Sequence, residues 1–473
     1  MLIHALKYLH DSAQLFERIA TQPWAMLLDS GQRLNPATGK PGSQYGRYDI
    51  LVAQPFITLV TQDEITTITH NGVAKTLTDD PFLLLKNLLS QYQAPKTELP
   101  FAGGGLPFAG GALGYFAYDL ARRLEKLPAK ALPAVQLPEM MIGIYDWAVV
   151  VDHREQKTFM VSHGLNAQTH QIWPTLQALF DAPFEPTVSS FEVLSVIESN
   201  LTKVQYNQAF AKVMAYITAG DCYQVNLAQR FSAQVQGDSW TAYKKLRTIS
   251  PAPFMAYMNL PIRENENLQV LSNSPERFIQ TTGNHVETRP IKGTRPRSNN
   301  PEEDLAYSNG LLTSDKDKAE NLMIVDLMRN DLSKCCDEVK VSKLFQLQSF
   351  ANVHHLVSII VAKLKPNKNA VDVLRNCFPG GSITGAPKLR AMQIIEELEP
   401  HRRGLYCGAI GYVGFDGDMD TNIAIRTAVV CKNQMNFYAG GGIVADSELE
   451  KEYNETLDKA SNFITIMQFF KRL

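Results

Sequence analysis

The sequence predicts an α+β fold built on antiparallel β-sheets, and two observations lead there. Strand-like runs outnumber helical ones and do not alternate strictly with them, which disfavours a doubly wound parallel sheet. Three regular strand-like runs, 406–415, 422–431 and 435–444, are punctuated by Asp416-Gly417 and Asn433, the pattern of an antiparallel meander.

Taken in order, residues 1–20 read as a short strand and then a helix. The apolar run 24–28 stops at Asp29-Ser30-Gly31, and a turn-rich loop follows. Residues 50–53 and 56–60 are strand-like and split by Pro55, which cannot donate to a ladder. Asn71-Gly72 between threonine-rich flanks signals a hairpin. Leucines at helical spacing mark 81–92. The uncharged stretch 101–118 is too rich in glycine for a membrane-spanning helix and reads as a loop entering a strand at 112–118. Residues 141–151 read as one strand. From Asp181 to Asn200 the composition turns to Pro, Ser, Thr and Glu, as in a linker or surface crossing.

Thr202-x-x-Gln205 is a capping-box pattern. It opens a helix with Phe210, Val213, Met214 and Ile217 inward, closed by Gly220. Residues 222–231, 268–271, 277–281 and 353–364 read as strands. The helix 315–331 places Leu322, Val325 and Met328 on one side. A helix over 387–399 has Pro387 at its first position and Leu389, Met392, Ile395 and Leu398 inward. The last helix, 448–469, carries Tyr453, Leu457, Ala460, Ile464 and Met467 in phase.

The 473 residues suffice for one large domain or two to three ordinary ones. A formal net charge of −2 argues against nucleic acid or an anionic membrane as the main partner. Cys222, Cys335, Cys336, Cys377, Cys407 and Cys431 form no C-x-x-C pair and read as reduced thiols of a cytoplasmic protein. The first twenty residues lack the basic start and unbroken apolar core of a signal peptide.

Four constellations suggest chemistry. Lys292 lies between Pro290-Ile291 and Gly293, with Arg295 and Arg297 beyond it. A lone lysine is ordinarily a solvated charge, but cationic neighbours favour the free amine, which is the nucleophilic form. Glu276, in Ser274-Pro275-Glu276-Arg277, offers a proton donor or acceptor. Glu452-x-x-Glu455-x-x-x-Lys459 sets three charges on one helix face. Asp317-x-x-Glu320 repeats the device on another helix. Two such pairs suit one Mg²⁺ ion, and each pair alone suits a solvated face. Gly440-Gly441-Gly442 exposes backbone N–H groups to an anion. The segment 378–388 superficially evokes a phosphate loop but lacks G-x-x-x-x-G-K-[ST], and neither G-x-S-x-G nor H-E-x-x-H occurs.

Together these segments resemble the chorismate-utilising enzymes, whose branches include the anthranilate, aminodeoxychorismate, isochorismate and salicylate synthases. The matching segments are SPERF (274–278), PIKGTRPR (290–297), AENLMIVDLMRNDL (319–332), HLVS (355–358), FPGGSITGAPK (378–388), IAIRTAVV (423–430) and GGGIVADSELEKEYNETLDKA (440–460), in family order. LLDS (27–30), YGRYD (45–49) and GGALGYFAYDLARR (110–123) look like the tryptophan-site and subunit-contact regions of the longer members.

The resemblance implies a chorismate-binding fold of antiparallel sheets packed as a sandwich, with helices outside and two intertwined subdomains. Residues 1–183 would carry a tryptophan pocket and a glutaminase contact, and 184–473 would form the chorismate-binding catalytic domain. Glu320 and Glu455 would ligate Mg²⁺, with Asp317 and Glu452 in support, although several members have glutamate where this chain has Asp317. Gly440, Gly441, Gly442, Arg426, Tyr406 and Lys459 would bind the substrate carboxylates, and Thr384 and His355 would face the ring. Glu276 would assist loss of the C4 hydroxyl. Asp29, Ser30, Tyr45, Tyr48, Pro253 and Phe254 match the amino-acid pocket.

Two positions separate the branches. The water-activating lysine of isochorismate and salicylate synthases is replaced here by Gln224, which is no general base. Where anthranilate synthases typically read P-I-A-G-T, this chain has Lys292, the mark of the aminodeoxychorismate branch of folate biosynthesis. There the lysine attacks C2 and ammonia then attacks C4. The chain has no G-x-C-x-G nucleophile setting, so the resemblance implies a separate glutamine amidotransferase subunit as the ammonia source. The alternatives are an anthranilate synthase and a non-catalytic chorismate-binding subunit.

Overall fold

The computed structural model describes residues 1–31, 45–96, 105–186, 188–264, 266–350 and 353–472. The loop at 35–42 and the glycine-rich segment 101–104 lie outside the described residues. Two large sheets carry the architecture, one of thirteen strands and one of twelve, and their strand pairs are antiparallel. The first runs from an edge at Leu2–Leu6 through Trp147–Asp152, Ala25–Asp29, Phe254–Arg263, Glu266–Ser274 and Thr427–Cys431 to Gln434–Ile443 and Gln224–Gly237. The second runs from Ile291–Pro296 through Val353–Leu364, Arg277–Thr282, Met419–Ile423, Ala409–Gly414 and Met140–Tyr145 to Val73–Leu77. Each sheet takes strands from both halves of the chain.

The sheets face each other across a shared core. Met26, Ile50, Val150 and Val270 of the first meet Leu113, Met141 and Ile410 of the second. Helices cover both outer faces: Phe16, Trp173, Trp240 and Phe463 pack on Leu27, Leu51 and Phe437, and Phe82, Ile324 and Leu374 pack on Ile142, Val286 and Ile360. Successive side chains of a strand point to opposite faces. Central strands buried on both faces therefore read as unbroken apolar runs, as in Ala25–Asp29 and Trp147–Asp152.

That same feature hides where the chain changes sheets. The expected strand 141–151 is two strands, Met140–Tyr145 and Trp147–Asp152, in different sheets. Asp146 holds the corner, accepting from the Leu165 and Asn166 N–H groups at 3.1 and 2.9 Å. The expected meander breaks likewise: Met419–Ile423 belongs to one sheet and Thr427–Cys431 to the other. Arg426, with φ 49°, lies in that crossing.

Several helical details differ from expectation. Helices Ala167–Asp181, Ser239–Ile249, Pro301–Thr313 and Ala370–Cys377 were not legible as periodic runs. Pro387 is the residue before the helix Lys388–Leu398, with ψ 141°, and not its first turn. Leu322 and Leu389 are exposed, at 53% and 41%. The last helix, Leu449–Phe469, buries Glu452, Thr456, Ala460, Phe463, Ile466 and Met467, so Tyr453, Leu457 and Ile464 flank the inward stripe. The last helix turns the polar Glu452 and Thr456 inward, which blurs its apolar stripe. The 181–200 segment is partly stitched to the sheet, with Phe191–Val193 and Glu198–Ser199 pairing along Gln224–Gly237. The capping box at Thr202 forms in both directions. Among the described residues no helix is long and apolar enough to cross a membrane.

Candidate active site

The site forms where two sheet crossings lie side by side. One takes the chain from Glu266–Ser274 to Arg277–Thr282 through Pro275-Glu276; the other is 424–426. They are tied together by the Ser274 hydroxyl donating to Ile423 O at 2.6 Å and by Asn273 N–H donating to Arg426 O at 2.8 Å. Glu276 is buried there, accepting from the Ser382 hydroxyl at 3.1 Å. Burial pushes its carboxyl up to about 7, against the pull of Lys292. A neutral carboxyl near neutral pH is equipped to donate a proton. Arg426 is half-buried beside it, and among the described residues its guanidinium makes no ion pair or hydrogen bond.

Lys292 stands on the strand Ile291–Pro296, which pairs along Val353–Leu364 with a register shift between Lys292 and Thr294. Gly293 makes that bulge possible. Its φ of 78° is left-handed, and a Cβ there would lie 2.6 Å from Leu311 and 2.9 Å from Asp317. The bulge leaves Lys292 Nζ 3.9 Å from Glu320 Oε2. The neighbouring arginines face carboxylates and not the lysine: Arg295 donates to Asp317 at 2.9 Å and Arg297 to Asp304 at 2.8 Å. The expectation that they tune Lys292 by bare positive charge gives way to paired, locally neutral heads.

Glu320, Glu452 and Glu455 converge from the helices Asp315–Ser333 and Leu449–Phe469. Burial raises the Glu320 and Glu452 carboxyls. Burial would raise Glu455 too, but Lys459, Lys292 and Lys316 outweigh it and bring it down. Lys459 Nζ lies 2.5 Å from Glu455 Oε1 and donates to Gly440 O at 3.1 Å. Gly441 faces the cluster; a Cβ there would stand 3.0 Å from Glu452 Oε2. That oxygen is buried without a hydrogen-bond partner. Gly442 lies against Gln224 on the opposite face, and both polar atoms of the fully buried Gln224 side chain also lack partners. Buried polar atoms without a protein partner call for water, an ion or a ligand to complete them.

Asp317 stands apart. Its carboxylate is spent on Arg295, and its side chain fills the space under Gly293. Its placement braces the Lys292 strand. His355 shares its Nδ1 with the Thr294 hydroxyl at 2.9 Å, and burial followed by Arg426 lowers its pKa to about 4. The Thr384 hydroxyl donates to Gly380 O at 3.0 Å. His355, Arg426 and Lys459 line a cavity of about 280 Å³. Tyr406 stacks on Tyr438 at 5.4 Å and lines a separate cavity of about 110 Å³ with Arg402 and Arg403. Sequence reasoning missed Ser382, Ser447 and Lys316. Only Lys316 carried a signal, four residues before Glu320.

All six residues expected for the amino-acid pocket line one further cavity, of about 440 Å³. Tyr45 stacks on Phe254 at 6.2 Å, and Arg277 lies over both rings. The charges beneath are satisfied: Asp29 accepts from Arg247 at 2.5 Å, and Ser30 donates to Asp49, whose other oxygen meets His153 at 2.7 Å. Pro253 lines both this cavity and the one at His355.

A cluster of buried carboxylates, lysines and an arginine at the seam of two intertwined antiparallel sheets defines the class. The sequence profile of the chorismate binding enzymes matches residues 44–465. The chain belongs to that family. It is 46% identical over 460 residues to aminodeoxychorismate synthase component 1 of Salmonella typhimurium, covering 96% of this chain and 95% of that one. It is also 46% identical to the Escherichia coli protein of the same name, over 97% of each chain. Anthranilate synthase component 1 of Aquifex aeolicus is 35% identical over 89% of this chain and 86% of its own length. Among solved structures, anthranilate synthase component I from Streptococcus pneumoniae superposes with a TM-score of 0.75 at 30% identity, covering 89% of this chain and 92% of that one.

Proposed function

We propose that this chain converts chorismate and ammonia to 4-amino-4-deoxychorismate, with Lys292 as the covalent nucleophile. The observation that carries the reading is Lys292, held by the Gly293 bulge within electrostatic reach of buried Glu276, whose carboxyl is raised to about 7 and so is half protonated at neutral pH. The Lys292 amine attacks C2 while the ring double bonds shift and the C4 hydroxyl departs. Glu276 gives that hydroxyl a proton, so it leaves as water. Ammonia then attacks C4, the double bonds shift back, and the C2–N bond to Lys292 breaks. The secondary ammonium formed at C2 returns a proton to the Glu276 carboxylate, and the proton that ammonia loses at C4 goes to the departing Lys292 amine. Gln224 supplies no base for water, which keeps the C2 position for the lysine.

Glu320, Glu452 and Glu455 supply the hard oxygen donors that Mg²⁺ takes, and Glu452 keeps a buried oxygen without a partner, but among the described residues they do not yet close a cage around an ion. When bound, the ion neutralises the ring carboxylate of the substrate. Arg426 and the Gly440–Gly442 backbone take the remaining carboxylate. The name "component 1" of the relatives supports a partner component, and we assign it as a glutamine amidotransferase docking on the N-terminal part, residues 1–183. The 440 Å³ cavity, with its stacked Tyr45 and Phe254, suits tryptophan. Six free, buried cysteines suit a cytoplasmic setting.

Incubation of the protein with chorismate, Mg²⁺ and ammonium tests the reading. Aminodeoxychorismate is the expected product, with a mass adduct on Lys292 when ammonia is withheld. Anthranilate as the main product would overturn it.

A further inference from the structure

Three glutamates meet three lysines at the site, and one of those lysines has no role so far. Lys316 rises from the first turn of the helix Asp315–Ser333. Its Nζ lies 4.0 Å from Glu320 Oε1 and 3.8 Å from Glu452 Oε1. It thus joins carboxylates of two helices that a divalent cation needs together. Lys292 stands against the other oxygen of Glu320, and Lys459 against Glu455. The three ammonium groups balance the three carboxylates. Among the described residues no three metal-type side chains yet stand close enough to cage an ion.

Of the three lysines, Lys316 is the one free to leave. The Lys292 side chain is only 14% exposed, and Lys459 is tied by two hydrogen bonds. Lys316 is 45% exposed, and its contacts are too long for hydrogen bonds. Its flexible four-carbon stem lets the head move into water at small cost. Meanwhile Glu452 Oε1 is fixed by the Ser447 hydroxyl at 2.6 Å, leaving Oε2 buried and unpaired.

We propose that Lys316 is a resident counter-cation, held between Glu320 and Glu452 until a divalent cation displaces it. It keeps the carboxylates from repelling one another in the empty site, and it lowers the affinity of that site for metal. The inference rests on the Mg²⁺ reading given above.

Calorimetric titration of the full chain with MgCl₂ tests it, alongside Lys316→Ala, Lys316→Arg and Lys451→Ala. Lys451 lies on the helix of Glu452 but pairs outward with Glu448, so its loss changes net charge equally without touching the cluster. Lys316→Ala is expected to bind Mg²⁺ about tenfold more tightly, and the other two to stay within about threefold of the parent. A second readout is acetylation by acetic anhydride followed by mass spectrometry. Lys316 is expected to react faster once Mg²⁺ is bound, while Lys451 is unchanged. Equal Mg²⁺ affinity in the parent and Lys316→Ala would overturn the proposal and leave the Mg²⁺ reading standing, as would a Lys316 reactivity that ignores bound Mg²⁺. No Mg²⁺ binding by the parent or any variant would overturn the Mg²⁺ reading itself and the counter-cation role with it.

Discussion

The chain crosses between its two sheets in similar fashion at two places, and the crossings treat their buried charge differently. In the N-terminal crossing, Tyr48–Val52 passes into Ile57–Gln62 beside the corner at Asp146. Both oxygens of Asp146 accept backbone N–H groups. In the other, Glu266–Ser274 passes into Arg277–Thr282 beside 424–426. There Glu276 has the Ser382 hydroxyl as its side-chain donor, and Arg426 has no hydrogen-bond partner among the described residues. A buried charge with all its partners present fixes a corner. One left short of partners shifts its pKa and keeps bonding capacity for a ligand.

The largest effects should come from breaking the second crossing's chemistry. Lys292→Ala is expected to cut aminodeoxychorismate formation by about 10²-fold or more, with the melting temperature unchanged. Retained activity together with an unmodified lysine would remove covalent catalysis from the comparison. Glu276→Gln should cost about 10²–10⁴-fold in kcat/KM, because the amide cannot deliver a proton. With Glu276 intact, kcat/KM at saturating ammonium should fall as pH rises beyond about 7, by about tenfold per unit. A flat profile through that range would deny Glu276 the acid role.

Stability should follow the same group with a definite sign. The Glu276 pKa is raised from 4.5 to about 7 in the folded chain. Between those values the native state holds the proton that the unfolded state has lost, so this contribution to stability declines as pH rises. Glu276→Gln should flatten that slope in denaturant titrations. At the N-terminal crossing, Asp146→Ala should cost about 1 kcal/mol of stability by removing the acceptor of two part-buried N–H groups. Its activity per folded molecule should remain. Of similar size is Tyr45→Ala, expected to weaken tryptophan binding in calorimetry by about 1 kcal/mol through lost stacking, with turnover nearly unchanged.

Much of the site was legible because its chemistry is written in local spacing. Lys292 between proline and glycine, the i,i+3 carboxylates and the triple glycine need only a few adjacent residues to be seen. The fold class was legible for a similar reason, since strand runs and turn residues are local. Of the four unpredicted helices, Ala370–Cys377 escaped because eight residues give too few turns to show a period, and Ser239–Ile249 and Pro301–Thr313 because the inward Ser239, Arg247 and Ser308 interrupt it.

What the sequence alone determined is the set of candidate groups: Lys292 where anthranilate synthases typically have alanine, Gln224 where isochorismate and salicylate synthases have a water-activating lysine, and the acids around them. Tertiary structure alone decided how those groups are deployed. Period-two alternation is the same in either sheet, so nothing local tells that 145–147 and 423–427 change sheets, and it is the second change that brings Arg426 to Glu276. Likewise no spacing rule shows that Asp317 turns to Arg295 while Glu320 turns inward. A carboxylate takes the partner that the fold places within reach, and here that choice is made by the left-handed bulge at Gly293.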